Sequence, residues 1–499
     1  MTRAKKDGRT SKIKWMAIGL AAAAVCGLAL SLLIRDFIVL GTEAGGSCGT
    51  RRGPCPNHWG LIFVLSFFPL LLLTPLACYA LYKARPAWIA GLVAAAVCVY
   101  PGWLLFDVLH GPTLNYTWSA PHDRGSDTDT EGVWTSGGTV IRAKFDGLTA
   151  YAARTGRQTW TSKLPARDTL CAMSRTSENN VGLIAHEPGS GQCGSIQAID
   201  TTTGKPLWNR TLPSGKPVLE KDADTLIISG TTGAYRTSEA IEGFGLRDGK
   251  TLWRKARTSP YCSIGWLAGT SNQILMGERC TQIDPAARTT GFSQLVRAFD
   301  PSTGRDLWKT DLQVVGNATV DLVNATPPVI AVRESDARGK KSLMALDAQG
   351  RITATIPTDD PDAEIDTSPQ SPSAVIQTRK IAASGTTLVA VTRTDQGEYA
   401  LAAYRLTDGR RLWTTERNRK SIEAITFDGK DVFTLTSHLT TLQLRSFDPS
   451  TGKERTSSVV PSRWNDSRAT LLPTPSGLLV AGSSGRNPYH PLKMLPRPS

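Results

Sequence analysis

Two patterns of hydrophobic residues divide this chain of 499 residues. Before about residue 110 the apolar positions form three unbroken runs, Trp15 to Ile34, Trp59 to Tyr82 and Trp88 to Phe106. A run of about twenty apolar residues is what a helix needs to cross a bilayer. The pattern therefore predicts transmembrane helices over about 15–34, 59–82 and 88–106. Pro69 and Pro75 inside the second run are compatible with a membrane helix, where neighbours satisfy the freed carbonyls. Trp15, Trp59, Trp88 and Trp103 fall near run ends, where indoles favour the interface. The first run is long for a signal peptide and no Ala-x-Ala cleavage site follows it, so it reads as an uncleaved anchor. Beyond residue 110 the apolar residues come in short bursts between polar turns, the pattern of β-strands.

Charge then orients the membrane segment. The net charge is +14, and Arg3, Lys5, Lys6, Arg9, Lys12 and Lys14 face only Asp7 in the first fourteen residues. The tight loop between runs two and three adds Lys83 and Arg85, whereas the loop between runs one and two holds Arg35, Arg51 and Arg52. Basic loops stay cytoplasmic. Residues 1–14 are thus expected as a cytoplasmic tail, 15–108 as a membrane domain in the plasma membrane, and the rest as extracytoplasmic. The other basic residues form no stripe, which argues against nucleic acid as a partner.

Cysteine placement tests that orientation. Cys26, Cys78 and Cys98 lie in the apolar runs, while Cys48, Cys55, Cys171, Cys193, Cys262 and Cys280 lie in segments expected outside. An even number in an oxidising compartment suggests disulfides. Cys171 with Cys193, Cys262 with Cys280 and Cys48 with Cys55 each bracket a local stretch. A metal site of Cys48, Cys55 and His58 is the rival reading, with ligands at irregular spacing.

One motif recurs through the β region: an apolar pair, often an acid, a polar turn with Gly, and Trp four residues after that Gly. It ends at Trp160, Trp208, Trp253, Trp308 and Trp413, and in degraded form at Ala354 and Thr456. Its glycines are Gly156, Gly204, Gly249, Gly304, Gly350, Gly409 and Gly452. Their spacing, mostly in the mid-forties, suits one four-stranded blade per repeat. The chemistry is that of a hairpin: a polar side chain caps the turn amides, Gly supplies positive φ, and the next strand presents an indole. Recurrence in nearly every repeat assigns the indoles to packing between blades and not to a ligand cage.

Apolar strands starting at Thr139, Val181, Thr225, Ile274, Val329, Thr387, Asp431 and Gly477 number one more than the glycine motifs. The missing outer strand is sought in 114–120, where Trp118 stands in a segment resembling those after the other turns. Pairing it with the last repeat closes a ring of eight blades, seven being the alternative. The expected divisions are a linker over 109–132, a propeller over 133–484 and a tail over 485–499.

These repeats resemble the pyrroloquinoline-quinone-like (PQQ-like) repeat family, over about residues 114–484. The resemblance implies a seven- or eight-bladed propeller whose tryptophans dock neighbouring blades. One branch of that family comprises quinone-dependent dehydrogenases. The other is non-catalytic, typified by lipoprotein B of the outer-membrane assembly machinery, a scaffold for partner proteins. This chain has no adjacent cysteines and no haem-binding Cys-x-x-Cys-His, which separates it from the first branch. Val25 before Cys26 breaks a lipobox, which separates it from a lipid-anchored member of the second.

No residue pattern points to catalysis. His58, His110, His122, His186, His438 and His490 form no metal-ligand pair at helical spacing. Asp200, Asp300, Asp347 and Asp448 recur at one repeat position, which suits turns. The acidic segment 358–373 reads as a solvated loop, or as a cation or partner-docking loop without EF-hand spacing. The expectation is a bilayer-integral, non-enzymatic scaffold that needs no cofactor and binds an extracytoplasmic protein or a wall polymer. The alternatives are a quinone-dependent oxidoreductase and a transmembrane sensor subunit.

Overall fold

The computed structural model describes residues 3–44, 56, 58–84, 88–111, 113–121, 130–165, 167–188, 193–212, 224–237, 239–284, 289–314, 317–336, 339–360, 363–367, 380–419, 421–438, 441–460, 469–482 and 491–498. Three helices come first: α1 (Arg3–Ala44), α2 (Trp59–Lys83) and α3 (Trp88–His110). Each is long and apolar enough to span a membrane, over Lys12–Gly41, Trp59–Lys83 and Trp88–His110. The first and third therefore run past the expected 15–34 and 88–106. Arg35 and Asp36 do not end α1, because Arg35 is satisfied within the helices. It pairs with Asp107 at 2.5 Å, donates to the Trp103 carbonyl at 2.7 Å and lies 4.4 Å from the Trp103 ring centroid. Leu32, Ile62 and Phe106 form the buried centre of the helical unit. Gly27 has no room for a side chain beside the Ala95 carbonyl, the close backbone approach on which membrane helices rely.

The remainder is an eight-bladed β-propeller, which excludes the seven-bladed alternative. Blades 1 to 7 occupy 132–163, 168–211, 226–256, 262–311, 318–357, 364–414 and 421–460. Each is an antiparallel sheet whose strands pair in chain order, except that blade 6 has its first strand in two pieces. First strands of neighbouring blades adjoin one another and so lie innermost, while the fourth strands alternate exposed and half-buried side chains at the periphery. Blade 8 takes Ala469–Thr474, Gly477–Gly482 and Leu492–Leu495 from the C-terminus and Trp118–Ser119 from the N-terminus. Trp118 pairs with Met494 and Ser119 with Lys493, so strands from both ends of the chain close the ring and remove a sheet edge.

Two expectations change here. The segment 485–499 is not merely a tail, since Leu492–Leu495 is a fully buried strand of blade 8. Hydrophobicity alone understated it, because only three apolar residues around Lys493 mark the strand. Within 358–373, Glu364–Ile365 is a strand and not loop, with Ile365 buried in the core. It and Ile381–Ser384 both pair with the same edge of Thr387–Arg393, so an insertion interrupts the innermost strand of blade 6. Seven of the eight apolar bursts are second strands. The one at Thr225 is a first strand, Leu226–Ser229, because in blade 3 the apolar run falls there and the second strand, Thr232–Arg236, is the less apolar of the two.

Candidate functional site

The repeat motif forms the hairpin between third and fourth strands of blades 1 to 7. In blade 4, Asp300 accepts hydrogen bonds from the Ser302 and Thr303 amides at 3.0 and 2.9 Å, and the Gly304 amide bonds the Asp300 carbonyl at 2.9 Å. Asp200 and Asp448 cap their turns in the same way. These donors, led by the Thr202 hydroxyl at Asp200 and the Ser302 hydroxyl at Asp300, hold both carboxyls below their ordinary range.

Each indole reaches across to the following blade. Trp118, Trp160, Trp208, Trp253 and Trp413 donate Nε1–H to the carbonyls of Ala153, Thr201, Leu246, Pro301 and Pro449, at 2.7 to 3.3 Å. Every acceptor stands three residues before that blade's turn glycine, and the ring lies flat on the glycine. At Gly156, where φ is +68°, a Cβ would sit 2.6 Å from the Trp118 ring. Positive φ and this contact together require glycine.

The irregular seams have local causes. The blade 5 turn is one residue shorter, with the Gly350 amide bonding the Asp347 carbonyl at 3.0 Å, and Trp308 donates instead to Gln273 Oε1 at 3.0 Å. Where Ala354 replaces Trp, the Thr353 hydroxyl donates to the Leu406 carbonyl at 2.7 Å, taking the indole's role three residues before Gly409. Thr456 meets no turn, since third and fourth strands of blade 8 come from opposite chain ends.

Both propeller disulfides are formed. Cys171–Cys193 joins the first strand of blade 2, at its bulge, to the approach to the third strand. Cys262–Cys280 joins directly opposed residues of the first two strands of blade 4. Cys26, Cys78 and Cys98 are free thiols in the helices. Cys48 and Cys55 lie outside the described residues, and with them the metal reading that includes His58. Glu278 stands within 4.8 Å of the Cys262 and Cys280 sulfurs, but sulfurs joined to each other offer no thiolate to a metal.

Three polar clusters in the propeller stand apart from the turn aspartates and the docking indoles. His186 and Asp168 form a contact of 2.6 Å between the first two strands of blade 2, with the imidazole 2% exposed, so the pair is sealed in the sheet. Burial, and then the Asp168 charge, push the neighbouring Glu187 carboxyl up. Glu242 accepts from Arg210, from Thr251 at 2.9 Å and from Tyr235 at 3.2 Å, binding blade 2 to blade 3; burial pushes the Tyr235 hydroxyl up to about 12.

The third cluster opens to solvent. A groove of about 530 Å³ runs between the end of blade 3 and the outer strands of blade 4. Arg257, Thr258, Arg297, Asp306, Leu307 and Lys309 line it. Beneath it the Glu278 side chain is 0% exposed and takes hydrogen bonds of 2.5 Å from the Thr258 amide and hydroxyl. Arg297 donates to Thr258 Oγ1 at 3.2 Å and to Asp306 at 2.6 Å, and Lys255 pairs with Asp306 at 2.7 Å. The arginine fork is therefore fixed before any ligand arrives.

With this geometry established, the comparisons place the chain. The family described as outer membrane protein assembly factor BamB matches residues 113–270 and 293–483, more than half the sequence. The chain belongs to this family. No curated protein sequence matches it. Among solved structures, BamB from Moraxella catarrhalis is similar at 14% identity and a TM-score of 0.44, over 76% of this chain and 98% of that one. The computationally designed Ika8 protein aligns at 14% identity and a TM-score of 0.49, over 77% and 99%. The quinohemoprotein alcohol dehydrogenase ADHIIG from Pseudomonas putida HK5 aligns at 11% identity and 0.44, over 77% and 75%.

For this BamB-family chain, sequence reasoning found the turn glycines and tryptophans but not the groove. Arg257 belongs to no repeated motif, and Arg297 and Lys309 flank the blade 4 copy of it, whose Arg297–Asp306 pair recurs in blade 7 as Arg445–Glu454. The available signal was weak: three basic residues around a buried Glu on strands that only the fold makes adjacent.

Proposed function

We propose that this protein is a non-enzymatic scaffold, held by three transmembrane helices with its N-terminus in the cytoplasm, that presents its propeller to protein partners outside the cell membrane. One observation carries the reading: a BamB-family ring stapled by two disulfides follows three helices of membrane-spanning length. Disulfides persist on the oxidising side of a membrane. The basic loops and tail favour the same orientation. Turn aspartates and tryptophans serve the fold, which suits a rigid frame that binds through its rim.

A membrane-impermeant maleimide tests the topology. In intact cells it is expected to label a cysteine introduced at Lys250, an exposed turn residue, without permeabilisation. Labelling only after the membrane is opened would reject the orientation and, with it, the extracytoplasmic scaffold.

A further inference from the structure

We propose that the groove between blades 3 and 4 binds an extended, acidic peptide segment of a partner protein, with an apolar side chain of that segment seated on Leu307. The inference deepens the scaffold reading and rests on it.

The first argument is charge. Lys255, Arg257, Arg297 and Lys309 surround the groove against Asp306 and Glu278, so it keeps an excess of positive charge. Asp306 is already shared by Lys255 and Arg297, and Glu278 is buried beneath Thr258. Arg257 spends one nitrogen on the Cys262 carbonyl at 3.2 Å. Its remaining donors and the Lys309 ammonium are the groups that meet a carboxylate on the groove wall. Because Arg297 is tied on both sides, little side-chain freedom is lost when a ligand binds.

The second argument is the apolar component. Leu307 is 41% exposed. Leu207, Leu252 and Leu412 occupy the same place in their blades, immediately before the docking tryptophan, and are also exposed. Alternation along a strand turns this position away from the buried indole. At blade 4 alone among the four, the exposed leucine forms part of the described charged groove. A phosphodiester polymer satisfies the cations but leaves Leu307 without a partner. A peptide that alternates acidic and apolar residues satisfies both. Among the described strands none pairs with the outer edge of the fourth strand of blade 4, where an extended peptide finds main-chain donors and acceptors.

The test uses the full chain in detergent micelles and a fluorescent peptide of about ten residues that alternates Glu and Leu. Fluorescence anisotropy is expected to show binding that weakens about tenfold with each of Arg257→Glu, Lys309→Glu and Leu307→Asp. Lys205→Glu makes the same charge change as Lys309→Glu on blade 2, away from the groove, and is expected to leave binding intact. Urea unfolding midpoints equal to that of the parent show that each variant is folded; Arg257→Gln and Lys309→Gln replace any that is not. Unchanged affinity in the groove variants overturns the proposal. So does a glycerol-phosphate polymer that binds as tightly and ignores Leu307→Asp, which would make the groove a polymer site. Photocrosslinking in cells separates the two levels of the argument. Adducts from a probe at Lys205 and none from one at Leu307 reject the groove and leave the scaffold standing; none from either position rejects both.

Discussion

The docking of an indole on a turn glycine in the next blade makes a quantitative prediction at Gly249. Its φ is +67°, and a Cβ there would lie 2.8 Å from Cδ2 and 3.0 Å from Cε3 of Trp208. Gly249→Ala therefore incurs two costs. Left-handed backbone in a residue with a Cβ costs about 1–2 kcal/mol. Overpacking against the ring adds about 1–3 kcal/mol. Gly397 provides the control, since it has φ +76° and nothing within 4 Å of an added Cβ, so Gly397→Ala carries the first cost alone. Trp208→Ala loses the Nε1–H bond to Leu246 at 3.0 Å and the edge contact with Phe244, with ring centroids 5.4 Å apart. That amounts to about 2–4 kcal/mol, discounted from full burial because the ring is partly exposed. In the double variant the overpacking vanishes because the ring is absent. The double-mutant cycle should therefore show a coupling of about 1–3 kcal/mol. Urea denaturation followed by far-UV circular dichroism, on the four proteins with disulfides intact, measures it. Additivity within about 0.5 kcal/mol would refute the docking account.

Four further outcomes follow from the same structure. Ala354→Trp should destabilise by about 1–3 kcal/mol in the same denaturation assay. Ala354 is buried, its Cβ lies 3.6 Å from the Cβ position of Gly409, and Thr353 already satisfies the Leu406 carbonyl, so that seam has no vacancy for an indole. Replacing the Cys171–Cys193 pair by alanines should lower stability by about 3 kcal/mol, given a sequence separation of 22 residues, and dithiothreitol should then shift the urea midpoint less than it does in the parent. Asp200 and Asp300 have folded pKa values below the ordinary one near 4, so their stabilisation is present at neutral pH and lost as pH falls through the depressed values. The Asp200→Asn, Asp300→Asn double variant should show a smaller drop in Tm between pH 7 and pH 3 than the parent by calorimetry. In the helical unit, both carboxylate oxygens of Asp36 are buried with no hydrogen bond among the described residues. Asp36→Asn should raise the Tm of the detergent-solubilised chain, as removal of a poorly compensated buried charge does; a fall in Tm would show that the carboxylate has a stabilising role.

How far the sequence reveals this molecule depends on whether each feature repeats. The three long apolar helices follow from composition over lengths no other segment of the chain matches. The blades follow from one hairpin copied seven times, in which Gly, turn acid and Trp each answer a local demand. Closure of the ring was legible at Trp118 because that residue sits in a copy of the repeat's last strand. Its partner Leu492–Leu495 was not, because a tetrad carries no period and its hairpin turn is missing. Blade 6 shows the same limit from the other side. Glu364–Ile365 is too short to announce itself, and only pairing with Arg393 and Thr392 makes it a strand.

The degraded repeats show what each seam between blades requires. If the indole were needed for its own sake, Ala354 and Thr456 would be defects. Instead the conserved quantity is a satisfied carbonyl three residues before each turn glycine. An indole N–H meets it at five seams and a threonine hydroxyl at a sixth, while the seam beyond Thr456 offers no such carbonyl because its blade has no hairpin. Trp308 supports the point, since in the turn shortened by one residue that carbonyl, of Asp347, already takes the Gly350 amide, and the indole N–H goes to Gln273. A buried amide or carbonyl left unpaired costs more than a lost ring contact of similar size, so hydrogen-bond satisfaction decides which substitutions the seams accept. The groove between blades 3 and 4 lies outside this scheme. Its Glu278 and Thr258 maintain no repeat contact, and a preformed charged recess at the rim is what a binding frame would add to an otherwise structural ring.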